Sequence, residues 1–328
     1  SFTVNLGGNV ASNVSVLADT LTISDTGTAT TDTLTINNLA TAGAANIDVF
    51  NGKAITSTGY ETVAINTGAG TNATDNQDIS TLTVTADSAS ANTAVNLTGT
   101  NAIDFNTGIA SNTTGILSVN ASGLTAQASG TTLNVAAITS LGTNGTVSIT
   151  GSAGNDVLGV IAGPTALSNY ATTVDAGAGA DWVYTGSAAD SILGGLGNDT
   201  LNGGSGNDTV KGNEGEDSIT VGSGASSVDG GADNDTINIT SANLTSVDTI
   251  DGGAGLDTLA LDAAVTSPAA GNRVTNVEYL SYSGTGDLTQ DLSVFGATTI
   301  TKLTSASTGA VVINNASTSF DTVVLTDT

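Results

Sequence analysis

Apolar residues recur at every ninth position through the middle of this chain: Val183, Ile192, Leu201, Val210, Ile219, Val228 and Ile237, without a gap. Each is the centre of a short triplet whose neighbours are mostly polar. An extended triplet of that kind points its apolar side chain inward and its neighbours outward. Outside the nine-residue stretch the pattern changes to Thr alternating with apolar residues, as in DTLTISDT (19–26), DTLTINNL (32–39), STLTVTAD (80–87), TTLNVAAI (131–138), TVSITGSA (146–153), GAVVINNAS (309–317) and DTVVLTDT (321–328). Such alternation predicts half-buried strands, and the irregular spacing between them predicts coils with loops of variable length. YETVAIN (60–66) echoes VEYLSYS (277–283), placing Glu61 and Glu278 at one point of a recurring unit, as a solvated strand-edge charge or as a metal ligand.

Two positions before each apolar rung stands an acidic one: Asp181, Asp190, Asp199, Asp208, Asp217 and Asp235, with Ser226 in the single gap. Glycines precede the rungs, and residues 194–202 (GGLGNDTLN) and 203–211 (GGSGNDTVK) are complete copies of G-G-x-G-x-D-x-U-x, where U is apolar. Outlying copies at 151–159 (GSAGNDVLG) and 252–260 (GGAGLDTLA) carry Asp156 and Asp257, at spacings from the ladder that are not multiples of nine. These copies are set apart by insertions or belong to neighbouring coils. One nonapeptide makes a turn plus a short strand, and two make a coil of 18 residues. Asp181, Asp199, Asp217 and Asp235 then share one edge, and Asp190, Asp208 and Ser226 the other. Bare carboxylates stacked roughly 4.8 Å apart repel. With a divalent cation between them, drawing on 6–8 oxygens, the same stack becomes cohesive. Glycines such as Gly195, Gly197, Gly204 and Gly206 allow the tight turns that aim backbone carbonyls at the ion. Ala188, Asn213 and Asp233 replace motif glycines in units 185–193, 212–220 and 230–238, so the best sites are expected around Asp199 and Asp208.

Composition supports this picture. The chain has 328 residues, 30 acidic and four basic (Lys53, Lys211, Arg273, Lys302), for a formal charge of −26. Twenty-six of the acids are Asp, the short carboxylate that a preformed calcium site uses beside a turn. Charge this one-sided destabilises a compact chain unless cations neutralise it. Disorder would also need few apolar residues, whereas 38% of this chain is apolar. Forty-two glycines, two prolines, many threonines and 3% aromatics suit short strands, tight turns and a narrow stacked interior. No basic footprint exists for nucleic acid, and no apolar run is long enough to span a bilayer as a helix. His and Cys are absent, which removes Ser-His-Asp and Cys-His catalysis and the common zinc sites. Trp182, the one tryptophan, occupies an outward position, either covering the end of a roll or offering a contact surface. The chain is expected to be non-enzymatic.

The nonapeptides resemble the RTX (repeats-in-toxin) family, strongly over about 65 residues and patchily over about 110. The resemblance implies an all-β fold: a right-handed parallel β-solenoid or β-roll binding several Ca²⁺ ions, flanked by irregular Thr/Ser-rich coils. Its metal ligands are expected at Asp156, Asp181, Asp190, Asp199, Asp208, Asp217, Asp235 and Asp257, with Gly195, Gly197, Gly204 and Gly206 shaping the turns. The expected organisation is a Thr/Ser/Asn-rich β region over 1–150, the roll over 151–262 and further β-rich coils over 263–328. The whole chain could be one solenoid, and it reads as a piece of a longer protein. Together with the Thr/Ser/Asn/Ala-rich strands, the repeats look like those of calcium-dependent surface-layer proteins of Gram-negative bacteria. That likeness implies type I export, folding triggered by Ca²⁺ outside the cell, and self-association into a lattice or filament. It also implies anchoring to cell-surface polysaccharide through a part of the protein outside this chain. An adhesin stalk, or the repeat region of a secreted hydrolase or toxin, are the competing readings.

Overall fold

The computed structural model describes residues 2–6, 20–25, 32–38, 50, 52–68, 76–86, 92–125, 133–136, 138–141, 145–159, 169–265, 273–295, 300–306, 309–315, 320 and 322–325. Parts of the predicted strand segments, residues 19, 26, 39, 87, 131–132, 316–317, 321 and 326–328 among them, lie outside these. Two compact units result, Ser1–Gly186 and Ser187–Thr328. Both are parallel β-solenoids in which the chain passes alternately through two sheets. Among the described residues the only helical element is a 3₁₀ turn at Leu292–Phe295, and no helix is long and apolar enough to cross a membrane.

In the first unit one sheet stacks Phe2–Leu6, Thr33–Asn38, Thr62–Asn66, Thr93–Gly99, Ile116–Leu124, Thr146–Thr150 and Thr172–Ala178. The other stacks Leu21–Ser24, Lys53–Thr58, Asn76–Thr85, Ala102–Ser111, Leu133–Val135, Val157–Leu158 and Trp182–Gly186. Because the pleat has a period of two and the pairing is parallel and in register, like residues form columns. Leu34, Val63, Val95, Val119, Ile149 and Val174 make one such column, none more than 1% exposed. Each buried aliphatic side chain contributes about 1.5–3 kcal/mol relative to exposure. The Thr residues between them face outward, as the alternation predicts. Phe50 and Phe105 are also fully buried, so this interior takes more than small side chains. The ten-residue strands Asn76–Thr85 and Ala102–Ser111 pair through a register shift between Ile79 and Thr81, and Phe105 lies beside that irregularity.

In the second unit one sheet stacks Ser191–Leu196, Thr209–Glu214, Ser227–Ala232, Thr249–Ala254 and Val274–Thr275. The other stacks Thr200–Gly204, Ser218–Val221, Thr236–Ile239, Thr258–Leu261, Tyr279–Tyr282, Lys302–Ser305 and Thr322–Leu325. A separate parallel pair joins Leu288–Asp291 to Val311–Asn314. The nine-residue apolar ladder divides between the two sheets. Ile192, Val210 and Val228 continue into Ile250 and Val274, while Leu201, Ile219 and Ile237 continue into Leu259, Leu280 and Leu303. Val228 is as buried as its neighbours, so the coil keeps its register where the acidic rung is missing.

Candidate metal centre

The turn before each strand carries the acidic rungs, and the rungs are internal. Asp156, Asp181, Asp190, Asp199, Asp208, Asp217, Asp235 and Asp257 are each no more than 4% exposed. Neighbouring coils are tied through them. Asp199 N–H donates to Asp217 Oδ1, and Asp217 N–H to Asp235 Oδ1, each at 2.8 Å and 18 residues apart. On the opposite edge Asp190 N–H donates to Asp208 Oδ1 at 3.0 Å, again across 18 residues. The two-edged arrangement expected from the spacing is present within this unit. In the first unit Asp156 N–H donates to Asp181 Oδ1 at 2.7 Å, across a coil of 25 residues.

The outlying copies stack on the same ladder, because their extra residues leave the coil as loops. Asp235 N–H donates to Asp257 Oδ1 at 2.8 Å across 22 residues, and Asp257 N–H to Glu278 Oε2 at 3.0 Å across 21. On the other edge Ser226 N–H donates to Asp248 Oδ1 at 2.9 Å across 22 residues. Asp248, 2% exposed, is a rung that the nine-residue count does not reach. The echo between 60–66 and 277–283 has the same basis. Glu61 Oε2 accepts Asp32 N–H at 2.9 Å, so both glutamates do the backbone-accepting work of a rung. Glu61 is buried and Glu278 half-buried; neither is the solvated strand-edge charge that the sequence also allowed.

A second ladder, of Asn, runs beside the first. Asn198 Oδ1 accepts Glu216 N–H, Asn207 Oδ1 accepts Ala225 N–H, and Asn234 Oδ1 accepts Leu256 N–H, at 2.8–3.0 Å. Asn155 does the same for Ala180 in the first unit. Each Asn precedes an Asp, so an Asn-Asp pair takes one N–H from each neighbouring coil. The sequence displays these pairs openly, but only stacking gives Asn155, Asn198, Asn207 and Asn234 their role.

The motif glycines have two separate reasons. The first glycine of each unit lies against a carboxylate: a Cβ on Gly194, Gly212, Gly230 or Gly252 would come within 3.0 Å of Oδ2 of Asp199, Asp217, Asp235 or Asp257. The same Cβ would collide with the carbonyl oxygen of Gly212, Gly230, Gly252 or Asn276 in the following coil. The glycines at the second and fourth positions adopt positive φ, as at Gly195 (119°), Gly197 (111°), Gly204 (78°) and Gly206 (137°). Asn213 (76°) and Asp233 (75°) take the same conformation, which Asn and Asp tolerate better than other side chains. The turn therefore survives both replacements.

What this arrangement lacks is a donor. Oδ2 of Asp217, Asp235 and Asp257 is buried with no hydrogen-bond partner, next to a backbone carbonyl that is also an acceptor. A buried acceptor left so carries the full cost of its lost hydration. Burial accordingly pushes Asp235 up to about 7 and Asp217 up to about 6, with backbone N–H bonds opposing and neighbouring carboxylates adding to the rise. Asp208 and Asp257 are also raised by burial. A hard cation satisfies such a set, since Ca²⁺ takes carboxylate and carbonyl oxygens and needs no donor. Among the described residues no three acidic side chains converge on one point. The ladder brings one carboxylate per edge per coil, so backbone carbonyls must complete any such site.

Asp156 and Asp248 differ. Asp156 Oδ1 accepts Leu133 N–H and Ser152 Oγ–H, both at 2.8 Å, and its Oδ2 accepts Ser152 N–H at 2.7 Å. Burial still pushes this carboxyl up to about 6, against those donors. Asp248 Oδ2 accepts Thr245 N–H at 2.7 Å and Thr245 Oγ1–H at 2.8 Å. Trp182 is half-buried on the outward face of its strand, edge-to-face with Tyr184 at 6.3 Å between ring centres.

Comparison with known families agrees with the ladder. The model of the RTX calcium-binding nonapeptide repeat matches four stretches, residues 139–159, 175–210, 211–238 and 246–263, and every expected acidic ligand lies within them. These repeats bind Ca²⁺, and the Asp pattern fits several ions. No curated protein and no solved structure matches the chain.

Proposed function

We propose that this chain, a carrier of RTX calcium-binding repeats, is a calcium-dependent structural protein that self-assembles into a surface layer on a Gram-negative cell. RTX repeats occur in secreted extracellular proteins, and the roll is a structural element that is not catalytic on its own. The acidic ligands in this reading are Asp181, Asp190, Asp199, Asp208, Asp217, Asp235 and Asp257. The observation that carries it is where the charge sits. A chain of net charge −26 keeps most of its rung carboxylates buried, while its strands turn Thr, Ser, Asn and Ala outward. Thr62, Ala64, Ser118, Asn120, Ser148 and Thr150 are such outward residues. Calcium entering the rungs neutralises the buried carboxylates and leaves outward strand positions rich in Thr, Ser, Asn and Ala through which copies can pack.

The same chemistry makes folding conditional. Where a site exists only in the folded chain, binding free energy is folding free energy. Extracellular modules bind Ca²⁺ on the order of 10⁻⁴–10⁻³ M, so the chain stays exportable in a low-calcium cytoplasm and orders outside. This part of the protein is read as non-enzymatic. Electron microscopy of purified protein with millimolar Ca²⁺ tests the reading, which expects ordered two-dimensional arrays that disperse in EDTA. Isolated rods would favour an adhesin stalk instead, and assemblies indifferent to chelation would remove the mechanism.

A further inference from the structure

Resting on the calcium reading of the ladder, we infer that the rungs are of two kinds, and that Asp156 and Asp248 are latched by hydroxyl residues in place of an ion. The two kinds differ at one oxygen. In Asp217, Asp235 and Asp257, Oδ1 takes the N–H of the preceding coil, and Oδ2 is buried without a hydrogen bond. In Asp156 and Asp248, Oδ1 does the same work, but Oδ2 receives a backbone N–H from three or four residues upstream. A hydroxyl of that same residue adds a further bond, to Oδ1 in Asp156 and to Oδ2 in Asp248.

The cause lies three or four positions upstream of the rung. Four positions upstream of Asp181, Asp199, Asp208, Asp235 and Asp257 stand Gly177, Gly195, Gly204, Gly231 and Gly253, all at positive φ. Upstream of Asp217 it is Asn213, also at positive φ. Ser152 holds this place before Asp156 without positive φ, and its N–H faces the carboxylate. Before Asp248 the inserted loop does the equivalent: Thr245, three residues upstream, supplies both donors. Both oxygens of each carboxylate then accept hydrogen bonds, so neither bears the full cost of an unpartnered buried acceptor. The latched rungs close coils of 23 and 22 residues, but Asp257 closes one of 22 without a latch, so the upstream donor and not the coil length sets the kind of rung. The latch holds its coil where a glycine turn does not supply an ion site.

Calorimetric Ca²⁺ titration of the full chain, combined with amide hydrogen exchange, tests this. Asp156→Asn is expected to bind as many ions as the unaltered chain, whereas Asp217→Asn binds fewer. Ser152→Gly, which restores the motif glycine, is expected to bind one ion more. In EDTA the amides of Leu133 and Ser226 should stay protected, while those of Asp199 and Asp217 lose about tenfold or more in protection. Loss of an ion in Asp156→Asn, or exchange at Leu133 and Ser226 as fast as at Asp199, overturns the inference and leaves the calcium reading standing. An unaltered chain that takes up no Ca²⁺ overturns both.

Discussion

The coils of Ser1–Gly186 and those of Ser187–Thr328 solve one problem with different chemistry. Both must tie the turn of one coil to the next. Through most of the first unit this is done with neutral groups. Thr67 Oγ1–H donates to Asn101 O at 2.9 Å, and Asn101 Nδ2–H to Thr67 O. Asn112 both accepts Ala86 N–H and donates to Ala86 O, while Thr93 and Ser111 share a buried hydrogen bond. In the second unit the ties run through buried carboxylates. Where a neutral tie leaves an atom without a partner, as at Asn101 Oδ1, that atom is an uncharged amide oxygen. The carboxylate ties of Asp217, Asp235 and Asp257 leave an oxygen without a hydrogen bond, so under the proposed calcium reading one region is stable by itself and the other is switched.

The largest break in that comparison comes from removing calcium. In EDTA the strands between 191 and 261 should lose most of their amide protection, apart from the Ser226 amide held by Asp248, while those between 93 and 124 keep theirs; uniform loss across the chain would erase the distinction. Next come core truncations. Ile65→Ala and Ile219→Ala each remove a side chain that is 0–1% exposed and should cost about 2–5 kcal/mol in calcium. In EDTA only the Ile65 effect should remain measurable by thermal melting, because the coil around Ile219 is already open.

Acidity sharpens the contrast further. Without calcium the folded pKa values of Asp217 and Asp235, about 6 and 7, lie above the ordinary value of 3.8. Their contribution is then fully present below about pH 4 and lost as pH rises through 6 and 7. Melting in EDTA should therefore move to higher temperature on acidification from pH 8 to 5. In saturating calcium the trend should reverse, since protons compete with the ion. The smallest effect concerns single glycines. Gly212→Ala sets a methyl against Asp217 Oδ2 and Gly230 O and should weaken calcium binding measurably. Gly286→Ala meets nothing within 4 Å, and a difference within about 0.5 kcal/mol is expected.

The nine-residue period was legible because it is written twice, in the apolar series and in the Asp series. From it follow the parallel coils, the inward column Leu201–Ile219–Ile237 and the separation of rungs onto two edges. Asp248 and Glu278 were not legible as rungs, since insertions shift them off the count. Lengthening a loop adds little closure entropy, so stacking tolerates coils of 18, 21, 22 and 25 residues that no fixed period captures. Asn155, Asn198, Asn207 and Asn234 were visible, but nothing local distinguishes an Asn that serves a turn from one that accepts an N–H a coil away.

What the sequence alone determined is the register, because side-chain alternation and burial are local properties repeated along the chain. What only the tertiary structure decided is the state of each carboxylate. Whether Oδ2 receives a donor, as Asp156 does from Ser152 N–H, or no hydrogen bond, as in Asp235, depends on which backbone atoms the neighbouring turns bring to it. In this protein that single contact separates coils closed by hydrogen bonds from coils that require an ion.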